Sequence, residues 1–382
     1  MFTRIYLHIP FCRKKCPYCA FFSQEPTTND LERYIQLVQQ EMTLRSQTIS
    51  TAAVIDSIYF GGGTPSLLKP AQIERLLGHA DKLFCLKPTT EITLEANPGT
   101  VDQPRLTDFR RAGINRLSLG VQSFDDRMLT TLGRIHTSRQ AYEAFAATRE
   151  AGFDNIAIDL MHSLPGQTPE MWLSELGQAV KLAPEHISVY GLTIEEETPF
   201  AGRYPEGCLN LPDQDLSADM FETAEDLLTL HGYEHYEIAN YALPERRSNH
   251  NCGYWHRDGY LGLGAGAHSF FRDTDFGSRS SNVSSLEAYS TALLNGSLAC
   301  ENHLPLTHED AVAEFMFLGL RMADGVSFRT FRQELGVELR DVFGQQLDDL
   351  ISKNLLIEDL AGIRLTRRGM LLSNQVFQKF LP

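Results

Sequence analysis

Arg4-Ile-Tyr-Leu-His-Ile9-Pro-Phe-Cys12-Arg-Lys-Lys-Cys16-Pro-Tyr-Cys19 is the stretch from which the fold can be read. Ile5, Leu7 and Ile9 alternate with Arg4, Tyr6 and His8, the period-two pattern of a strand with one apolar face. Three cysteines follow at the strand's carboxyl end. The chain has 7 cysteines, an odd number, with three inside eight residues. That is a poor disulfide scaffold and points to a metal or redox site in a reducing compartment. Cys85, Cys208, Cys252 and Cys300 stand singly, and most are expected to be small buried side chains.

The alternation recurs outward from this strand. Further strands are expected at Ser57–Phe60, Glu91–Ala96, Arg116–Gln122, Asn155–Leu160 and Ile187–Tyr190. Amphipathic stretches separate them, such as Leu31–Arg45 with Tyr34, Ile35, Val38 and Met42 on one face. Strands alternating with helices of this length mean βαβ units and a parallel sheet. A parallel sheet buried on both faces would read as continuous apolar runs. Here each strand has one apolar and one small or polar face, which predicts an α/β fold: a partial (β/α)6 TIM-like barrel around a polar ligand. Sites in such barrels lie at the carboxyl ends of the strands. Glu95, Gln122 and Asp159 stand there on the polar face; each could instead cap a helix or bond a loop.

From about residue 232 the rhythm stops, and a Gly- and aromatic-rich stretch follows. Helices are expected near 308–322, 327–335 and 338–353, then a hairpin (Leu356–Glu358, Ile363–Leu365) and a last helix, an order like a winged helix. Three segments result: a barrel over 1–235, a connecting segment over 236–300, and a small C-terminal helical domain over 301–382. Four acidic against two basic side chains on the third helix, and a net charge of −15, argue against a nucleic-acid partner. The first ten residues lack a signal-peptide core, and no apolar run approaches the ~18 residues of a membrane span. A cytoplasmic location is the expectation.

A zinc site would want four ligands, usually in two separated pairs. Three thiolates on a four-iron cube instead leave one iron without a protein ligand. S-adenosylmethionine (SAM) can chelate that iron, and an electron from the reduced cluster can cleave its sulfonium to release a 5′-deoxyadenosyl radical. The spacing Cys12-x3-Cys16-x2-Cys19 resembles that of the radical SAM superfamily, implying a [4Fe–4S] cluster on Cys12, Cys16 and Cys19. Gly61-Gly-Gly-Thr-Pro65 after the second strand resembles the superfamily's glycine loop, where backbone must approach the ligand closely.

Tyr6–Cys12, Glu95-Ala-Asn-Pro98, Gly120-Val-Gln-Ser-Phe124, Leu132-Gly-Arg-Ile-His136 and Asp159–Gln167 resemble the oxygen-independent coproporphyrinogen III oxidase family. The resemblance implies SAM contacts at Tyr6, Tyr18, Gly62, Gly63, Thr64, Glu95, Gln122, Arg134 and Asp159. In this account Arg134 pairs with the methionyl carboxylate. The true oxidases carry a fourth cysteine two places after the third and a longer N-terminal arm. This chain has Ala20 and Phe21 after Cys19.

Cys19-Ala-Phe21 and His250-Asn-Cys-Gly-Tyr-Trp255 are similar instead to the HemW-type haem chaperones, whose His-Asn-x-x-Tyr-Trp motif is associated with haem binding. This resemblance implies a haem or porphyrin ligand with His250 as a candidate contact, haem-requiring acceptor proteins, and a chain that need not be an enzyme. It is compatible with a homodimer. Decarboxylation of porphyrinogen propionates is the alternative. Bottom-up, a histidine in an aromatic-rich turn can equally be hydrogen-bonded within the fold. Cys252, His235, His256 and His268 are rival iron ligands. Gly262-x-Gly-x-Gly266 follows no βαβ start and reads as a tight turn against the barrel.

Overall fold

The computed structural model describes residues 2–27, 29–48, 53–205, 208, 210–272 and 276–381. Six parallel strands, β1 (Arg4–Ile9), β2 (Val54–Gly62), β3 (Cys85–Ala96), β4 (Arg116–Gln122), β5 (Ile156–His162) and β6 (His186–Gly191), lie side by side in chain order. Helices Asp30–Gln47, Pro70–Leu83, Gln103–Arg111, Ser138–Glu150 and Pro169–Leu182 cross between them. Several begin at side-chain caps: Asp102 accepts from the Arg105 N–H, Thr137 from that of Gln140 and Thr168 from that of Met171.

The alternation divides the strands as expected. Ile5, Ile58, Leu94, Leu117, Leu119 and Ile158 are fully buried beneath the helices, each contributing about 1.5–3 kcal/mol of burial energy. Tyr59, Glu95, Ser118, Gln122, Asp159 and Ser188 project the other way and line the interior.

Six further strands extend both edges of the same sheet: β7 (Glu234–Glu237), β8 (Asn240–Ala242), β9 (Tyr260–Leu263), β10 (His268–Phe271), β11 (Ser278–Asn282) and β12 (Cys300–Pro305). β8 runs antiparallel to β6, and β9 runs parallel to β1. Among the described residues the sheet order is β12-β11-β10-β9-β1-β2-β3-β4-β5-β6-β8-β7, so the barrel is open. The segment 236–300 thus supplies strands to the sheet as well as a connection. Gly262 lies within β9, and Gly264–Gly266 form the turn to β10: Gly264 N–H donates to buried Glu41 at 2.8 Å and Ala265 N–H to Tyr34 Oη at 3.0 Å.

The C-terminal part has its own core, with Phe331, Leu347, Val376 and Phe380 buried. Its helices His308–Gly319, Phe328–Leu335 and Leu339–Ser352 accompany β13 (Val326–Ser327), β14 (Leu356–Glu358) and β15 (Gly362–Leu365). These strands pair in the order β13-β15-β14. It docks on the barrel through Arg257–Glu314 (3.1 Å) and Arg367–Glu225 (3.2 Å). One expectation is corrected: none of the four scattered cysteines is fully buried, and Cys85 and Cys300 are exposed. Cys85 begins β3, and Cys300 begins β12, an edge strand with one side unpaired.

Candidate functional site

The cysteine loop leaves β1 and is pinned at its base. Cys12 N–H donates to Gln24 O at 3.0 Å, Gln24 N–H to Pro10 O at 2.9 Å, and Phe200 N–H to Pro17 O at 3.1 Å. Cys12, Cys16 and Cys19 line one cavity of about 430 Å³ that opens at the carboxyl ends of the strands and reaches down to Arg116, His186, Ser248 and Asn251 at their amino ends. Thr64 Oγ1 lies 3.5 Å from Cys12 Sγ, and Arg134 Nη1 lies 3.6 Å from Cys16 Sγ. Burial raises the Cys19 thiol above its ordinary range. Among the described residues no three His, Cys, Asp or Glu side chains converge on a single metal ion. A four-iron cube is wider than one ion, so a cluster does not require that convergence.

The glycine loop ends β2 against this site. Gly62 has φ +107°, and a Cβ at Gly63 would stand 2.7 Å from Phe11 O, so neither position accommodates a side chain. Gly62 N–H donates to Glu95 Oε2 at 3.2 Å, and Tyr59 Oη–H donates to Glu95 Oε1 at 2.9 Å. Burial pushes the Glu95 carboxyl up to about 7, with the Asp159 charge adding and the two hydrogen bonds opposing. Burial likewise raises Asp159, whose oxygens both lie 3.3 Å from Ser118 Oγ. Arg134 donates to Gly120 O at 2.7 Å, while its Nε is buried without a partner. Gln122, at the end of β4, has φ +67°, a strained backbone position of the kind that clusters at functional sites.

Of the residues singled out for SAM, Tyr18, Gly62, Gly63, Thr64, Glu95, Gln122, Arg134 and Asp159 all line the cavity. Tyr6 is outside that lining; its hydroxyl bonds His8 Nδ1 at 3.0 Å, and its ring lies against Tyr59. Sequence reasoning missed Tyr59, Ser118 and Ser188, which also line it. They occupy inward positions of β2, β4 and β6, and the same period-two count would have found them. The donor set fits a cluster with SAM beside it: three thiols at one opening, a guanidinium with a spare donor, and carboxyls beside backbone N–H groups.

The second motif is at the opposite end. Helix Asn249–Trp255 closes the amino ends of the strands. Its Asn249 and His250 N–H groups donate to Glu91 at 3.2 and 3.0 Å, satisfying a helix N-terminus with a carboxylate. His250 Nδ1 is 2.8 Å from Ser57 Oγ, and its Nε2 is 2.8 Å from Tyr254 Oη. Its ring is buried, 5.0 Å from the Tyr59 ring. Burial, then the Arg4 charge, lowers its pKa to about 3. His250, named above as a candidate haem contact, thus has both ring nitrogens hydrogen-bonded within the fold. Cys252 is a weak rival, its thiol raised by burial to about 11. Arg321, in the C-terminal part, lies 4.3 Å over the Trp255 ring, so the motif also ties the two parts together.

Comparison with known proteins matches this architecture. The profile of the Radical SAM superfamily matches residues 6–176, and that of the HemN C-terminal domain matches residues 306–372. The protein named heme chaperone HemW of Lactococcus lactis is 37% identical over 377 residues, 98% of this chain and 96% of that one. Its namesake in Bacillus subtilis is 36% identical over 98% of both chains. This chain belongs to the HemW family. A mouse relative of the HemW family, radical S-adenosyl methionine domain-containing protein 1, mitochondrial, is 33% identical over 99% of this chain and 87% of its own. The HemW fold is also that of Escherichia coli coproporphyrinogen III oxidase (HemN), described as a radical SAM enzyme. That structure superposes with a TM-score of 0.85 at 25% identity, over 99% of this chain and 90% of the oxidase.

Proposed function

We propose that this chain is a haem chaperone: it holds a [4Fe–4S] cluster on Cys12, Cys16 and Cys19, SAM beside the cluster, and haem for delivery to haem-requiring proteins. The observation that carries the reading is the end-to-end relationship to proteins of that name, joined to Phe21 two places after Cys19. When bound, the reduced cluster supplies an electron that can cleave the SAM sulfonium. The chain's own residues bind and orient. Gly62 and Gly63 bring backbone against the methionyl amine, Arg134 directs its spare N–H to the carboxylate, and Glu95 and Asp159 accept from ligand amino or hydroxyl groups. Tyr18 packs on the adenine. No helix is long and apolar enough to cross a membrane among the described residues; we place the protein in the cytoplasm, and a homodimer fits the reading.

The second reading, a coproporphyrinogen III oxidase, draws on the shared fold. It is disfavoured by Phe21 where the resemblance puts a fourth cysteine. Cluster-replete protein incubated anaerobically with coproporphyrinogen III, SAM and a low-potential reductant separates the two. Expected is no protoporphyrinogen, together with transfer of bound haemin to an apo-haem protein. Product over many turnovers would overturn the chaperone reading.

A further inference from the structure

Resting on the haem-chaperone reading, we propose that haem lies across the mouth of the cysteine-lined cavity, its macrocycle on Phe21 and Ile135 and its propionates toward Lys14 and Lys15. All four residues line that cavity. Phe21 is 67% and Ile135 37% exposed, an apolar pair at the rim of a polar hole. Two exposed apolar side chains at one opening offer contact for a flat apolar ring. Arg13 is occupied by Gly99 O at 3.0 Å, whereas Lys14 and Lys15 form no ion pair among the described residues. Two cations beside an apolar shelf, on a chain of net charge −15, complement a flat apolar ring with two carboxylates.

Volume and coordination favour the same place. A cavity of about 430 Å³ lies near the lower end for small-molecule sites, and with cluster and SAM assigned to it the macrocycle is placed at its mouth. His250, at the opposite end, has both ring nitrogens bonded. Outside the three cluster cysteines, the mouth residues named here offer no imidazole or thiol. Ring contact and propionate pairing therefore hold the cargo, and the iron keeps exchangeable ligands.

The test titrates full-length, cluster-replete protein with haemin and with metal-free protoporphyrin IX. Expected are affinities within about three-fold of each other, because the iron contributes little. Phe21→Ser, Lys14→Glu/Lys15→Glu and Ile135→Ser should each weaken both ligands by about ten-fold. Iron content and melting temperature are measured on every variant. Ile135→Ser lies outside the cysteine loop and keeps the test decisive if loop variants lose iron. Wild-type affinity in a folded Ile135→Ser variant would overturn the placement. So would protoporphyrin IX binding thirty-fold weaker than haemin, or loss of haemin binding in folded His250→Gln. If the wild-type chain binds neither ligand, the chaperone reading itself fails.

Discussion

At the carboxyl end of the barrel Arg134 keeps a buried Nε without a partner, Glu95 is forced toward neutrality, and Gln122 holds a strained backbone. At the amino end Glu91 caps a helix, and His250 is bonded through both nitrogens and its backbone N–H. Both ends carry a recognisable motif; the first keeps a guanidinium N–H and raised carboxyls open, while the second completes the bonding of His250 and leaves Trp255 Nε1 as its buried donor without a partner. What separates the two is charge: unfinished bonding around a guanidinium and carboxyls marks the end poised for a polar ligand, whereas the imidazole at the other end has its bonding completed within the fold.

Four experiments can break that contrast, in descending order of expected effect. Replacing Cys12, Cys16 and Cys19 together by alanine should reduce reconstituted iron from about four per chain to background; retention would relocate the cluster. Arg134→Ala should weaken SAM binding by about 100-fold, with Arg134→Lys intermediate, since lysine keeps the charge but loses the fork. Equal affinities by calorimetry would remove Arg134 from the site.

His250→Ala should cost about 2–4 kcal/mol in a denaturant titration, because it leaves buried Ser57 and Tyr254 hydroxyls unpaired beside a cavity. A loss below about 0.5 kcal/mol would mean that the floor is not structural.

The smallest effect is the pH dependence, which should differ in sign at the two ends. His250 is lowered from 6.5 to about 3. The unfolded chain binds its proton first, so this contribution is complete above pH 6.5 and is lost as the pH falls toward 3. Glu95 is raised from 4.5 to about 7, so ligand-free stability declines as the pH rises from 4.5 through 7. Glu95→Gln should flatten that upper decline while weakening SAM binding; an unaltered profile would leave Glu95 without the assigned cost.

Much of the open end was legible because period-two strands and tightly spaced cysteines are local signals. Ile5, Leu7 and Ile9 declare the buried face, and Glu95, Gln122 and Asp159 the wet one. The edge strands were missed because β8 to β11 span only three to five residues each and depend on neighbours already in place. His250 was the hardest to read. Its partners Ser57 and Glu91 are distant in the chain, and no local pattern says whether an imidazole faces them or a ligand.

That distance has a consequence for synthesis. Ser57 and His250 are 193 positions apart, so the floor of the barrel cannot close when its first strands leave the ribosome. At ordinary translation rates the interval is on the order of 10–40 s. During it Ser57 and Glu91 lack the His250 and Asn249 groups that they meet in the finished fold, and the unfinished sheet presents an open lower end. The nascent chain passes through a stage at which it needs protection from aggregation, and emergence of residues 249–255 brings that stage to a close.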